Sequence, residues 1–271
     1  PVDFEALRGR RVAILGGGAS AFDNAACALE AGAADVRLYI RRPYLPQINK
    51  FKSMGYAGFQ RGYACLPDAA RWRLMRYAFA CQVPPPHESV LRCTKHASFS
   101  LHVSSPWRKV ERHGAKLAIH LPARVDRADF AIVCTGFGVD PAERPEIAHL
   151  AGDIARWHDR YAPPTELADA ELGTFPYLDG RFAFVPRAPG TAPHLADLHA
   201  FNFSSTLSHG LLSGDIPALG IGAARLSQAI VEDLFVASLA AHEADLRRLD
   251  DRELAPTPFF VSPELRGDPA P

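Results

Sequence analysis

The chain has 271 residues, 48% of them hydrophobic, and its 30 Lys and Arg balance its 30 Asp and Glu to a formal charge of zero. That length supports one large domain or two modest ones, and the balance argues against nucleic acid as a bulk electrostatic partner. No apolar run approaches the roughly 20 residues that span a bilayer, and no signal peptide opens the chain. The expectation is a cytoplasmic, enzyme-sized protein with a small-molecule substrate and no membrane partner.

The chain starts at Pro1, so either an initiator methionine was removed or something upstream is missing. Val12-Ala13-Ile14-Leu15 is a short apolar run suited to a buried parallel strand. Gly16-Gly17-Gly18-Ala19-Ser20-Ala21 follows at once, and Phe22 to Glu30 continues as an alanine-rich helix. Val36-Arg37-Leu38-Tyr39-Ile40 then reads as a second strand. This is the G-x-G-x-x-A form of the dinucleotide fingerprint in its strand–turn–helix–strand setting. Gly16 suits the tight turn, Gly18 lets backbone approach a pyrophosphate, and Ala21 keeps helix close to sheet. The free N–H groups at the helix start would face the phosphates. The plainer alternative is a βα turn that has lost its ligand.

NAD-binding units usually place an Asp or Glu about 20 residues past the glycines, on the ribose 2′-hydroxyl. Here the second strand ends in Arg41 and Arg42, followed by Pro43. A guanidinium suits a 2′-phosphate through its fork geometry and permanent charge, which predicts NADP(H) over NAD(H). A solvated basic pair at a strand end is the alternative.

Residues 46–93 carry many aromatics and arginines and read as a helical insert, its bulky residues spaced for core packing. Pro84-Pro85-Pro86 is a stiff break within it. Phe99 to Val103 looks like a returning strand, and Val110 to His120 a hairpin turning near His113-Gly114. Phe130-Ala131-Ile132-Val133-Cys134 is a further buried strand running into Thr135-Gly136-Phe137-Gly138.

Cys27, Cys65, Cys81, Cys93 and Cys134 have no C-x-x-C spacing, so reduced thiols are expected and a disulfide reductase is disfavoured. Among eleven histidines, His194, His199 and His209 are the closest group, but their spacing matches no zinc pattern and no metal is expected. Ser204-Ser205-Thr206 and Ser213 lack a hydrolase elbow. Asn202 could contact a cofactor amide, but capping a loop is its commoner role. No acid or base can be assigned, and the catalytic residues stay unknown.

The fingerprint, the basic strand end, the hairpin and the strand ending in Cys134-Thr135-Gly136-Phe137 together resemble the NADPH-binding half of flavin-dependent monooxygenases. That group contains flavin-containing monooxygenases, Baeyer–Villiger enzymes and N-hydroxylases. Ser20-Ala21-Phe22-Asp23 matches their usual continuation of the second fingerprint. Thr135-Gly136 fits their A-T-G motif, with Cys134 in place of alanine, on the segment crossing between two dinucleotide domains. The resemblance covers residues 7–140 and is weaker beyond. It implies hydride transfer from NADPH to FAD and oxygenation of a substrate. The chain departs from the family in lacking the earlier G-x-G-x-x-G that binds FAD and the signature before the second fingerprint. Residues 198–236 still look like a return into a flavin domain: His199 to Phe203 as a strand, Gly210 to Gly222 as a loop, and Ala223 to Leu239 as a helix.

The expected fold is α/β, a Rossmann-like three-layer parallel sheet with an antiparallel hairpin and an inserted helical segment. Residues 1–140 would form the NADP(H)-binding domain, 141–197 a connecting region, 198–250 the return segment resembling the C-terminal part of an FAD domain, and 251–271 a mobile tail. NADP(H) would be held by Gly16, Gly17, Gly18, Ala19, Ser20, Ala21, Arg41, Arg42, Thr135 and Gly136. FAD is suspected, with its binding motif supplied by a missing N-terminal segment or a partner chain. The function expected is an NADPH-dependent, FAD-linked oxidoreductase of monooxygenase type, or its NADPH-binding fragment. A non-catalytic NADP(H)-binding module that senses nucleotide or docks to a partner is the alternative. A flavin-free dehydrogenase ranks last, because no Tyr-x-x-x-Lys pair is present.

Overall fold

The computed structural model describes residues 2–251 and 253; the tail expected at 251–271 otherwise lies outside the described residues. The elements in chain order begin with β1 (Arg11–Leu15), α1 (Ala19–Glu30), β2 (Asp35–Tyr39), α2 (Ala57–Gly62), α3 (Asp68–Cys81) and α4 (His87–Thr94). Five strands follow: β3 (Phe99–His102), β4 (Lys109–His113), β5 (Lys116–His120), β6 (Val125–Ala128) and β7 (Phe130–Val133). Among the described residues after β7 the helices are α5 (Trp157–Arg160), α6 (Ala170–Gly173), α7 (Thr206–His209), α8 (Ile216–Ala237) and α9 (Leu239–Arg248).

β1 lies inside a four-stranded sheet of order β3-β2-β1-β7, every pair parallel. Its Val12, Ala13 and Ile14 are buried because both faces of the strand are covered. On one face, the small and apolar side of α1 (Ala21, Phe22, Ala25, Ala26, Leu29) packs with Val12, Ile14, Val36 and Leu38. α4 lies beside α1, tied to it by Ser89 Oγ donating to Asp23 at 2.5 Å and by Arg92 forking onto Glu30 at 2.8 and 2.7 Å. The last helix of the expected insert is therefore part of this layer. On the other face Ala13, Leu15 and Tyr39 meet Ile119, Leu121 and Ala128. The expected three layers are present, as helices, parallel sheet and antiparallel sheet. The hairpin is there too: it turns at Gly114 (φ +63°), and β6 extends it to three strands.

The rest of the insert packs elsewhere. Met54, Tyr63, Trp72, Met75 and Ala78 share a core with Val139, Trp157, Phe175, Phe182, Leu207 and Leu212. Residues 141–197 contribute short turns and isolated bridges; Trp157 is fully buried in that core, and Ile154 in a smaller cluster with Leu178, Phe184, Leu195 and Ala200.

Three local expectations fail in the return segment. Residues 199–203 do not form a strand: His199 makes a single bridge to Ala183. The Asn202 side chain accepts the Ser204 N–H at 2.9 Å, turning the chain into a 3-10 turn at Phe203–Ser205. The glycine-containing stretch 210–222 is not all loop either, because α8 starts at Ile216 with Pro217 in its first turn. Gly222 sits inside that helix because a Cβ there would collide with the Leu212 carbonyl oxygen, so close packing outweighs the roughly 1 kcal/mol cost of a helical glycine. The helix expected at 223–239 also breaks at Ser238, between α8 and α9.

Candidate functional site

Strand β1 ends at Leu15, and the chain leaves the sheet between the ends of β2 and β7. Gly16 takes φ +136°, and its N–H donates to the Tyr39 carbonyl at 3.0 Å. A Cβ on Gly16 would overlap the Cys134 carbonyl oxygen, so this glycine is required by backbone packing. Gly17 is also confined, since a Cβ would come within 2.8 Å of Ile40 Cγ2. Gly18 differs from both: it is extended (φ −94°, ψ −167°), and nothing lies within 4 Å of where its Cβ would be.

Gly18 is the N-cap of α1, and no side chain caps that end. Ala19 and Ser20 are exposed, Ala21 is buried against the sheet, and the first turn carries no acidic residue. A 12-residue helix thus presents uncapped N–H groups and its positive dipole end beside the C-terminal edge of the parallel sheet. This fits a pyrophosphate, which needs donors, positive potential and no intervening Cβ.

The two arginines after β2 separate. Arg41 is exposed and has no hydrogen-bond or ion-pair partner among the described residues. Arg42 is half-buried, its Nη1 donating to the Ala80 carbonyl of α3 at 3.1 Å and its own carbonyl accepting the Ser104 N–H at 2.8 Å. Arg42 therefore ties the loop after β2 to α3, and Arg41 is a cation without a partner among the described residues.

Thr135 and Gly136 follow β7, both exposed, with Gly136 at φ +102° and open space at its Cβ position. Phe137 is 76% exposed, its ring 6.3 Å from that of Phe203. Burial raises the Cys134 thiol above its ordinary value, so it is a neutral packing group rather than a nucleophile. The segment then enters the second core at Val139. Asp140 there is held below the usual carboxylate range: burial works against its charge, but the Ala142 N–H and the Arg156 guanidinium, 2.7 Å away, prevail.

His194, His199 and His209 do not assemble, and no group of three or more His, Cys, Asp or Glu placed for a metal occurs among the described residues. His209 is 1% exposed, stacked 3.8 Å from Phe182, with Nε2 donating to the Asp179 carbonyl at 2.8 Å. Burial pushes its pKa down to about 3. Asn202 plays the capping role already described, and it also lines a cavity of about 130 Å³ with Arg144, Phe184 and His199. That cavity contains none of the glycine-turn residues.

One constellation escaped the sequence reading. Arg71 on α3 pairs with Asp68, donates to the Ser208 carbonyl at 3.2 Å and to Tyr177 Oη at 3.3 Å, and lies 4.9 Å from the Trp157 ring centroid. Only the i, i+3 spacing of Asp68 and Arg71 could have hinted at it. The partners at 157, 177 and 208 are distant in sequence.

No family model matches the chain. Over 236 residues, 87% of its length, the chain is 41% identical to a FAD-dependent urate hydroxylase of Xanthomonas campestris pv. campestris and covers 50% of that protein. Among solved structures, ornithine hydroxylase of Pseudomonas aeruginosa aligns with a TM-score of 0.56 at 14% identity, over 83% of this chain and 53% of that one. An ornithine N-hydroxylase of Kutzneria sp. 744, solved with reduced FAD, NADP+ and L-ornithine, gives 0.58 at 16% identity, over 83% and 54%. L-lysine 6-monooxygenase of Pseudomonas syringae gives 0.56 at 17% identity, over 82% and 54%. These structures share the fold. The chain spans about half the length of the relatives it matches, and the likeness runs well past residue 140, further than the motifs alone carried it.

Proposed function

We propose that this chain, which shares its fold with flavin-linked N-hydroxylases and much of its sequence with a FAD-dependent urate hydroxylase, is the NADPH-binding part of a FAD-linked oxidoreductase of monooxygenase type. The observation that carries this is the open α1 N-terminus at Gly18, with the partnerless Arg41 at the end of the adjoining strand. In this reading the N–H groups of residues 18–21 hold the pyrophosphate, and Gly16 and Gly17 hold the turn that presents them. Arg41 takes the 2′-phosphate, while Arg42 positions the loop through Ala80. Thr135 and Gly136, exposed where the chain leaves the parallel sheet, face the junction of the two cofactors.

When bound, NADPH supplies the hydride that reduces a flavin, and the flavin supplies the oxygen chemistry. These residues bind and orient the nucleotide. No second strand–glycine–helix turn of this kind occurs among the described residues, so no flavin step is assigned to them. By relation to the urate hydroxylase, urate and similar nitrogen-rich heterocycles are the substrates to assay first.

The test is titration of the purified chain with NADPH and NADH, followed by FAD addition and an NADPH-oxidation assay with urate. NADPH binding at least tenfold tighter than NADH supports the reading, and equal affinities refute the 2′-phosphate assignment. The single dinucleotide turn also suits a second reading, a non-catalytic NADP(H)-binding module. Tight NADPH binding with no oxidation under any flavin condition selects that one.

A further inference from the structure

The cavity of about 130 Å³ in the second half of the chain is lined by more hydrogen-bonding capacity than the fold uses. Arg144 donates one N–H to the Gly138 carbonyl at 2.9 Å and has no carboxylate partner among the described residues. Glu146 lines the same cavity, is exposed, and has no hydrogen-bond or ion-pair partner among those residues. Two opposite charges on one small cavity thus leave each other unpaired, and both can still bond a third group. His199 Nε2 is buried and has no partner among the described residues either. Asn202 is fixed in orientation, because its Oδ1 accepts the Ser204 N–H at 2.9 Å and the Ser204 hydroxyl at 2.7 Å. That leaves its amide N–H groups free as donors. Buried polar atoms are nearly always partnered, and a space several times the roughly 30 Å³ share of one water suits an organic ligand.

We infer that this cavity binds a cyclic ureide, a ring in which a carbonyl is flanked by N–H groups. Size limits the enclosed part of the ligand to about one ring, since an apolar cavity of about 150 Å³ admits benzene. Charge narrows it further. A carboxylate meets Arg144 but faces Glu146 as a like charge, and an ammonium has the reverse fault. A neutral ring of both polarities suits both: its carbonyl accepts from Arg144 and the Asn202 amide, and its N–H groups donate to Glu146 and His199 Nε2. Phe184 and Pro141 supply apolar lining for its flat faces. Glu146 and Asn202 are exposed, so the cavity opens beside them and a second, fused ring can project outward. Urate has that form, and in this respect the inference rests on the urate reading above; the preference for a ureide does not. Gly138, which holds Arg144, follows Gly136 by two residues, so the cavity adjoins the exit from the parallel sheet.

The experiment titrates hydantoin, uracil and urate into the purified full chain by calorimetry, with 1,3-dimethylhydantoin, benzoate and glycine as controls. Hydantoin and uracil are expected to bind with a Kd of about 1 mM or tighter, as suits so few atoms. The dimethylated ring keeps the carbonyls and lacks N–H, and should bind at least tenfold more weakly. Glu146→Ala and Asn202→Asp should each weaken hydantoin at least tenfold while melting at the wild-type temperature. Glu146 has no partner to lose, and an aspartate keeps the acceptor for Ser204 while removing the amide donor. No binding of either ring, equal binding of the dimethylated one, or tighter binding of benzoate or glycine overturns the inference, as do variants that bind hydantoin like wild type. Urate displacing hydantoin joins the cavity to the urate reading; hydantoin binding without urate competition upholds the ureide site and counts against urate as its occupant. NADPH titration is a separate readout: its failure would strike the nucleotide site and not this cavity.

Discussion

Gly16 and Cys134 meet backbone to backbone. The last turn of β1 and the residue after β7 approach so closely that the Gly16 α-carbon has room only for hydrogen on the side of the Cys134 carbonyl. The Cys134 N–H in turn donates to the Leu15 carbonyl at 2.7 Å. The glycine turn is thus held from below by the strand that carries Thr135-Gly136, and two motifs 120 residues apart share one support. Gly18, two residues on, touches nothing.

The two glycines therefore separate folding from binding. Gly16→Ala combines a Cβ overlap with φ +136° and is expected to cost about 2 kcal/mol or more, visible as a lowered melting temperature. Gly18→Val, at an extended backbone with open space around it, should change stability by less than about 0.5 kcal/mol and abolish measurable NADPH binding. If Gly18→Val binds NADPH as wild type does, the loop is not the site.

Arg41 and Arg42 should differ when replaced singly. Arg41→Ala is expected to weaken NADPH by roughly 10- to 100-fold, the worth of a charge-assisted hydrogen bond, and to leave NADH unchanged. Arg42→Ala breaks the bond to the Ala80 carbonyl, so it should lower stability and weaken both nucleotides alike. Isothermal titration of the four combinations decides this. Equal loss of NADH and NADPH on Arg41→Ala would remove Arg41 from the 2′-phosphate.

Acid should destabilise the protein through His209 well before its carboxylates titrate. An unfolded histidine takes up its proton near pH 6.5, whereas burial delays the same event in folded His209 to about 3. Between these values the unfolded chain binds one more proton. Stability is therefore full above about pH 6.5 and falls as pH drops, by up to about 1.4 kcal/mol per pH unit. Urea midpoints at pH 7, 6, 5 and 4.5 should show this slope in wild type and lose most of it in His209→Gln. Parallel slopes in the two proteins would mean that other groups govern acid sensitivity.

Arg71→Ala removes the cation from a mostly buried cluster and leaves Asp68 with Tyr177 alone. A loss of about 3 kcal/mol in urea unfolding is expected, with NADPH affinity unchanged because α3 and the 157–208 contacts lie outside the glycine turn. Arg71→Lys should recover little, since an ammonium cannot fork between Asp68, Tyr177 and the Ser208 carbonyl. A stability change below about 0.5 kcal/mol in the alanine variant would show that this cluster does not hold the second core together.

The strand–glycine turn–helix unit was legible because its signals are local. An apolar run, three glycines and an alanine-rich helix place β1, the turn and α1 within a few residues of where they lie, and the second strand, read as 36–40, is observed at Asp35–Tyr39. The strand before Thr135-Gly136 and the hairpin turn at Gly114 were found in the same way, but that strand was expected to be buried and is instead an exposed edge of the sheet, with Val133 64% exposed. The return segment was harder. His199 to Phe203 alternates like a strand, yet only one residue finds a partner, and Asn202 bends the rest with its own side chain.

By itself the sequence determined the type and order of the strand, glycine turn and helix that open the parallel sheet, because turn geometry and hydrophobic period act over a few residues. Only the tertiary structure decided which arginine is free, that Gly16 is a structural glycine and Gly18 an open one, that the insert joins a second core, and that Arg144 and His199 line one cavity. Each of these depends on atoms tens of residues away, such as Ala80 for Arg42, Cys134 for Gly16, Trp157 for Arg71 and His199 for Arg144. Close packing sets them, and a one-dimensional pattern carries no record of which distant backbone will arrive.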